Sequence, residues 1–264
     1  MKDTLMRAAI RCASAAALIA TLGAVHAAQV RVQVTATNLA PANSVTVAPV
    51  HVGLHGGVFD AFDLGAVAGD PIVSVAEGGS GSAWFPAFAA ADPLAVLGTL
   101  LPAPLLPGAS ATGSFDIDTA VNPFFTFAAM VVPSNDFFAG NDSPTAYRLF
   151  DGAGNLQITS ISVYARDLWD AGSEVFDPAA AAFVGNNDLR TPQNSVVALN
   201  FAELAAFNGL LTAAGYVFDS QLAAGTEVLR LDFSVSPVPE PASLAMMLAG
   251  LGGISLVARR RLRV

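Results

Sequence analysis

Residues 29–35 read Gln-Val-Arg-Val-Gln-Val-Thr, with a valine at every second position. Side chains along an extended chain point alternately to opposite faces. Val30, Val32 and Val34 therefore share one face, while Gln29, Arg31, Gln33 and Thr35 share the other. This is the pattern of a strand half buried against a core. It returns at the far end of the interior, where Val228, Leu229, Leu231, Phe233 and Val235 surround Arg230, Asp232 and Ser234. Between these lie further candidate strands at 44–47, 49–52, 114–118, 124–132, 157–165 and 195–201, separated by Pro- and Gly-rich connections. Many short strands without a sustained helical period predict an all-β fold, an antiparallel β-sandwich. Two stretches resist the pattern: residues 86–108 read as a long apolar loop or short helix, and 201–214 permit a short helix. No repeat of fixed period divides the interior, which is expected to be one domain.

The two ends read differently. Residues 1–27 carry Lys2, Arg7 and Arg11 ahead of an apolar run and close on Val25-His26-Ala27, the three-part pattern of a secretory signal peptide. At the other end, Pro237-Val238-Pro239-Glu240-Pro241 interrupts regular structure, because proline lacks a backbone donor and fixes φ. Residues 242–258 follow without a charge, then Arg259, Arg260, Arg261 and Arg263. Seventeen residues sit at the short limit for a helix spanning a bilayer core of about 30 Å. The arginines would stay on the cytoplasmic side. The segment is thus expected to be a transmembrane helix. The tail also resembles a PEP-CTERM sorting signal, with Pro239, Glu240 and Pro241 as its motif, a short apolar helix and a basic terminus. That resemblance implies a Gram-negative bacterium and cleavage by an exosortase near the motif. The domain would then be released to the cell envelope or an exopolysaccharide matrix. The chain divides accordingly into a leader (1–27), a domain (28–236) and a sorting tail (237–264).

Charge narrows what the domain can bind. Of the 12 basic residues, three lie in the leader and four in the tail, leaving Arg31, Arg148, Arg166, Arg190 and Arg230. Nineteen of the 21 acids remain, so the domain carries a net charge of about −14. Such a surface repels phosphate backbones, which argues against nucleic acid as a partner. The single cysteine, Cys12, lies in the leader, so the domain holds no disulfide, thiol nucleophile or cysteine metal site.

The acids are not evenly spread. Residues 132–141 read Val-Pro-Ser-Asn-Asp-Phe-Phe-Ala-Gly-Asn, a buried strand running into a loop that carries Asp136. Residues 167–174 read Asp-Leu-Trp-Asp-Ala-Gly-Ser-Glu, again just beyond a strand. If both loops lie at one end of the sandwich, Asp136, Asp170 and Glu174 converge. Calcium takes six to eight hard oxygen ligands, so three carboxylates need help from backbone carbonyls and water. Mutual repulsion among the acids would be relieved by such an ion. A plainer reading of the same residues makes Asp170 a turn residue, Glu174 a solvated charge and Asp136 a helix cap.

The two acidic stretches resemble the markers of the spondin domain, the amino-terminal domain family of F-spondin and mindin. The first marker is matched by residues 132–140 and the second by 169–174. Residues 48–55, ending in His55, and the segment Ala76-Glu77-Gly78-Gly79 resemble further parts of that family. The resemblance implies a β-sandwich similar to calcium- and lipid-binding domains, with calcium held by Asp136, Asp170 and Glu174. Phe137 stands where the family often has Trp, and Glu174 where it often has Asp.

No other constellation carries chemistry of its own. His51 and His55 permit a zinc pair, but hydrogen-bonded core histidines are the commoner outcome. The glycine-rich residues 78–82 lack the lysine of a phosphate-binding loop, and no Gly-x-Ser-x-Gly elbow occurs. The chain is therefore expected not to be an enzyme, but a calcium-binding adhesion or matrix-binding module for an exopolysaccharide or cell-surface ligand. An extracellular hydrolase acting on matrix carbohydrate, or a structural matrix protein, are the alternatives. Phe137, Phe138 and Trp169 would form an apolar lip beside the ion if they were exposed.

Overall fold

A computed structural model describes residues 29–238. The leader, the Pro239-Glu240-Pro241 motif and the expected membrane helix lie outside the described residues. The opening stretch forms β1 (Gln29–Asn38), longer than its alternation alone required, with Val30, Val32, Val34 and Ala36 buried. It lies at the centre of an antiparallel four-stranded sheet in the order β5 (Ser110–Asp118), β1, β12 (Glu227–Pro237), β9 (Ser160–Tyr164). The first and last strands of the domain are thus direct neighbours, with Val30 opposite Pro237.

The second sheet is built on β6 (Phe124–Val132), whose bounds match the expected strand. On one side β6 pairs with β3 (His51–His55), which pairs with β4 (Val96–Thr99). On the other side it pairs with β7 (Phe137–Gly140), followed by β10 (Trp169–Asp170) and β11 (Ala198–Leu199). Two short strands, β2 (Thr46–Val47) and β8 (Tyr147–Arg148), pair with the two ends of β6. Phe125, Phe127, Ala129 and Val131 of β6 enter the core between the sheets, together with Val32, Val34, Leu231 and Phe233.

The sandwich has a third layer, which departs from the purely two-sheet expectation. Two helices, α1 (Asp70–Gly78) and α2 (Trp84–Ala91), cover the outer face of the β6 sheet. Ile72, Val75, Trp84 and Phe88 pack there with Phe59, Phe62, Ala128 and Phe138. β6 is therefore buried on both faces, which explains why its sequence is continuously apolar instead of alternating. The helices escape a periodicity search because each is barely two turns long. Residues 86–108 divide between α2 and β4, and the permitted helix after 201 is a 3-10 helix, Phe201–Phe207. Among the described residues no helix is long and apolar enough to cross a membrane.

The histidines belong to this core. His55 Nδ1 accepts from the Gly57 amide at 2.9 Å, so its Nε2 is left to donate to Thr126 Oγ1, also at 2.9 Å. Burial holds the His55 imidazole down at about 4, neutral at ordinary pH. His51 bonds Thr99 Oγ1 and the Gly79 carbonyl. Both are satisfied by protein partners, as the core reading expects.

Phe138 joins the layers to the acidic loop, since it sits in β7 two residues after Asp136 and its ring meets Phe62 edge-on at 4.9 Å. Phe138→Ala is expected to cost about 3–5 kcal/mol, the range for truncating a fully buried aromatic. Urea unfolding of the variant against the parent domain measures it.

Candidate functional site

The two acidic stretches meet because β10 pairs antiparallel with β7, placing Asp170 opposite Phe137 and Trp169 opposite Phe138. One further ladder contact, the Ala171 amide on the Asp136 carbonyl at 3.1 Å, carries the pairing to Asp136 itself. After β6, Ser134 makes the bend: its hydroxyl donates to the Val131 carbonyl and accepts from the Phe137 amide. After β10, Gly172 turns the chain at φ 65°, and a Cβ there would lie 2.8 Å from the Val196 carbonyl oxygen. Only glycine fits that turn without displacement.

Asp136 is the junction. It is buried, and its Oδ2 accepts from the Ser173 amide at 2.6 Å, the Glu174 amide at 2.9 Å and the Ser173 hydroxyl at 3.2 Å. The carboxyl thus caps two backbone donors of the turn that follows β10, not the helix end that the plain reading supposed. Asn135 adds a reciprocal clasp, accepting from the Asp177 amide and donating to the Asp177 carbonyl. Asp170 does make the turn that the plain reading proposed, with Oδ1 accepting from the Gly172 amide at 2.8 Å.

Asp136, Asp170 and Glu174 line one cavity of about 150 Å3, together with Asn135, Gln193 and Glu203. Convergence of the three acids on one space is as the sequence leads one to expect. Their electrostatics follow from it. Burial pushes the Asp136 carboxyl up, opposed by the bonds from Glu174 and Ser173. Burial, then the Asp136 charge, pushes Asp170 up to about 6. Glu174 is pushed up to about 7, mainly by burial, against the pull of Arg190. Burial and Asp136 also raise Glu203.

The residue that sequence reasoning missed is Arg190. Its Nη1 lies 3.2 Å from Glu174 Oε1 and 3.3 Å from Glu77 Oε2, while the Glu174 side chain is only 3% exposed. The guanidinium therefore tethers α1 to the second acidic stretch and supplies Glu174 with a positive partner. No sequence signal marks it, because Asp188 stands two residues away just as acids stand near Arg166 and Arg230. Gln193 holds the same segment from behind, donating to the Glu174 carbonyl at 2.7 Å.

With Glu174 turned to Arg190, no group of three or more His, Cys, Asp or Glu side chains among the described residues is arranged to hold a metal ion. The lining is nevertheless rich in oxygen, with the carboxylates of Asp136, Asp170, Glu174 and Glu203 beside the side-chain amides of Asn135 and Gln193, which suits a hard cation. Phe137 and Phe138 are buried, and the Trp169 indole N–H donates to the Gly140 carbonyl. They are core, so no apolar lip is formed by them. The exposed aromatic at the cavity is Phe176.

Comparison with known proteins bears on the tail. A family model described as the PEP-CTERM protein-sorting motif matches residues 237–261. The motif implies an exported, cell-envelope-associated protein processed by an exosortase. No curated protein matches the chain. Neither finding gives evidence for a spondin domain, so that likeness rests on the loop residues alone.

Raised carboxyls make the metal-free fold sensitive to pH. The folded chain keeps protons on Asp170 and Glu174 over a range in which the unfolded chain has released them. Their contribution is therefore greatest near pH 4 and is lost as pH rises through 6 to 7. Asp170→Asn keeps the turn acceptor but removes the charge. It is expected to raise Tm at pH 8 and to change it little at pH 3, below the ordinary aspartate range, read from thermal melts without divalent ions.

Proposed function

We propose that residues 28–236 form an exported calcium-binding module of spondin type, used for adhesion or matrix binding and freed from the membrane by an exosortase. The observation that supports it is the meeting of Asp136, Asp170 and Glu174 at one cavity whose buried carboxyls all have raised proton affinity. A divalent cation relieves the repulsion that protons otherwise relieve. Calcium suits the arrangement better than magnesium, because it accepts irregular oxygen shells and does not demand a tight octahedron. Asp136 and Asp170 would supply ligands in place, and Glu174 would join on release from Arg190. The chemistry of such an ion is charge neutralisation, which couples the two stretches and leaves outward coordination positions for a polyhydroxylated or acidic ligand. That property accords with an exopolysaccharide or cell-surface partner on a domain otherwise too acidic to bind one. The competing class is a carbohydrate hydrolase, which the carboxylates alone do not favour.

Calcium titration of the domain, followed by Tm, tests this reading. Saturating calcium is expected to stabilise by about 2.7 kcal/mol at a hundredfold excess over Kd. Asp136→Ala and Asp170→Ala are each expected to abolish the shift, and an unchanged shift in both removes the site. Arg190→Gln is expected to act in two directions. It lowers Tm without calcium, because Glu174 loses its partner, and it tightens calcium binding, because no guanidinium has to be displaced. Calorimetric titration of the variant reads the affinity directly.

A further inference from the structure

The strands fix where the acidic cavity lies relative to the chain ends, and two routes through the fold agree. β1 begins at Gln29 beside the end of β12, where the Val238 amide reaches the Gln29 carbonyl. Gln29 also faces Asp118, the last residue of β5. From there the chain turns, with the Asn122 amide on the Asp118 carbonyl, and β6 runs away over nine residues to Val132 and the Asp136 loop. Independently, β12 begins at Glu227, opposite Tyr164 of β9, from which the chain passes directly to Asp170. β12 is 11 residues long, roughly 35 Å at about 3.3 Å per residue. The chain ends and the acidic cavity therefore occupy opposite poles.

The pole with the chain ends exposes aliphatic side chains at its loop tips. Val58, Leu94 and Val121 are 62%, 67% and 37% exposed, each on a loop that closes that end. The loops are knitted together below these side chains. Asn122 Nδ2 donates to the Leu54 and Leu94 carbonyls, and the Gly56 amide donates to Asp92 Oδ2 at 2.7 Å. Three aliphatic tips on stiff, cross-linked loops are poorly explained as core, since none is covered. Only four peptide links separate Val238 from the uncharged run that starts at Ala242, a reach of at most about 14 Å. Whatever holds that run holds this pole close to it.

We infer that this pole is a membrane-contact surface: before processing, Val58, Leu94 and Val121 rest on the lipid interface and the acidic cavity points away from the bilayer. The inference rests on the reading that residues 242–258 tether the precursor in a membrane, and it is independent of whether the cavity binds calcium. Aliphatic loop tips gain by burial in the headgroup–acyl boundary, while the tail supplies the main hold. Charge plays a secondary part, with the exposed Arg148, opposite Phe124, as a cation at this end. Asp116 at this end is neutralised by Arg31, and Asp118 is engaged by the Ala120 amide and Gln29. The cavity is thus open to ligand while the chain is still anchored, and cleavage at the other pole leaves it untouched.

The test uses the full chain with Cys12→Ser, reconstituted into vesicles whose headgroups carry a short-range nitroxide quencher. A fluorophore is placed on Ala120→Cys at the tail pole or on Val175→Cys beside Glu174. Quenching at 120 is expected to exceed that at 175 roughly fivefold or more, given about 30 Å between the poles. Adding Leu94→Asp and Val121→Asp is expected to cut the quenching at 120 by at least about half, as buried apolar area is lost. Equal or stronger quenching at 175 overturns the orientation. Quenching at 120 that ignores the two aspartates overturns the lipid contact and leaves only the tether. No quenching at either position, with the chain still sedimenting with vesicles, also overturns the contact; a chain that does not sediment overturns the tether.

Discussion

One buried carboxylate oxygen, Asp136 Oδ2, receives the Ser173 amide, the Glu174 amide and the Ser173 hydroxyl. Two stretches about forty residues apart in sequence are joined at that atom. Without it, the short β7–β10 pairing would be a two-residue ladder with little to hold it. With it, Asp170 and Glu174 are held at the same cavity, where the Asp136 charge adds to the burial that makes both harder to ionise. Hydrogen bonds to a charged acceptor are worth roughly 1.5–3 kcal/mol each when they replace hydration well. They oppose, but do not abolish, the desolvation that pushes this carboxyl up.

The arrangement turns an acidic composition into a local device. The domain carries far more acids than arginines, and most of its arginines are spent on exposed pairs such as Arg31–Asp116 and Arg230–Glu227. Pairs of that kind contribute little to stability. Arg190 differs because it meets a Glu174 carboxylate that is almost wholly covered, and because Glu77 of α1 shares it. Removing one partner of a covered pair leaves the other charge unscreened. The cavity thus has an internal cation on one of its acids, and any external cation competes with a side chain for Glu174.

The sheets were legible where a strand alternates or runs apolar, as β1, β6 and β12 do. They were not legible at β7 and β10, which are two to four residues long and owe their extension to neighbours instead of to pattern, whereas β11 falls inside the expected strand 195–201. The helices α1 and α2 were hidden for a related reason. Their apolar residues continue the composition of their flanks, and α2 is almost uniformly apolar, so no period stands out. For the site, the two acidic stretches were visible in the sequence. Their meeting was conditional on both loops lying at one end of the sandwich, and residue types alone read as well as turn and surface acids. They did not reveal Arg190, because its contacts to Glu174 and Glu77 span 16 and 113 positions and depend on a third layer that the strands do not announce. The aromatics beside the acids read first as core and as a lip only if exposed, and Phe137 and Phe138 are buried.

The central claim is that Asp136 locks residues 173–174 in place, and amide hydrogen exchange at those two positions measures it most directly. In the metal-free domain the Ser173 and Glu174 amides are predicted to exchange as slowly as those of the β6 core, and Asp136→Ala to bring both to loop-like rates. Rapid exchange at Ser173 and Glu174 in the unaltered domain, with β6 still protected, would contradict the account.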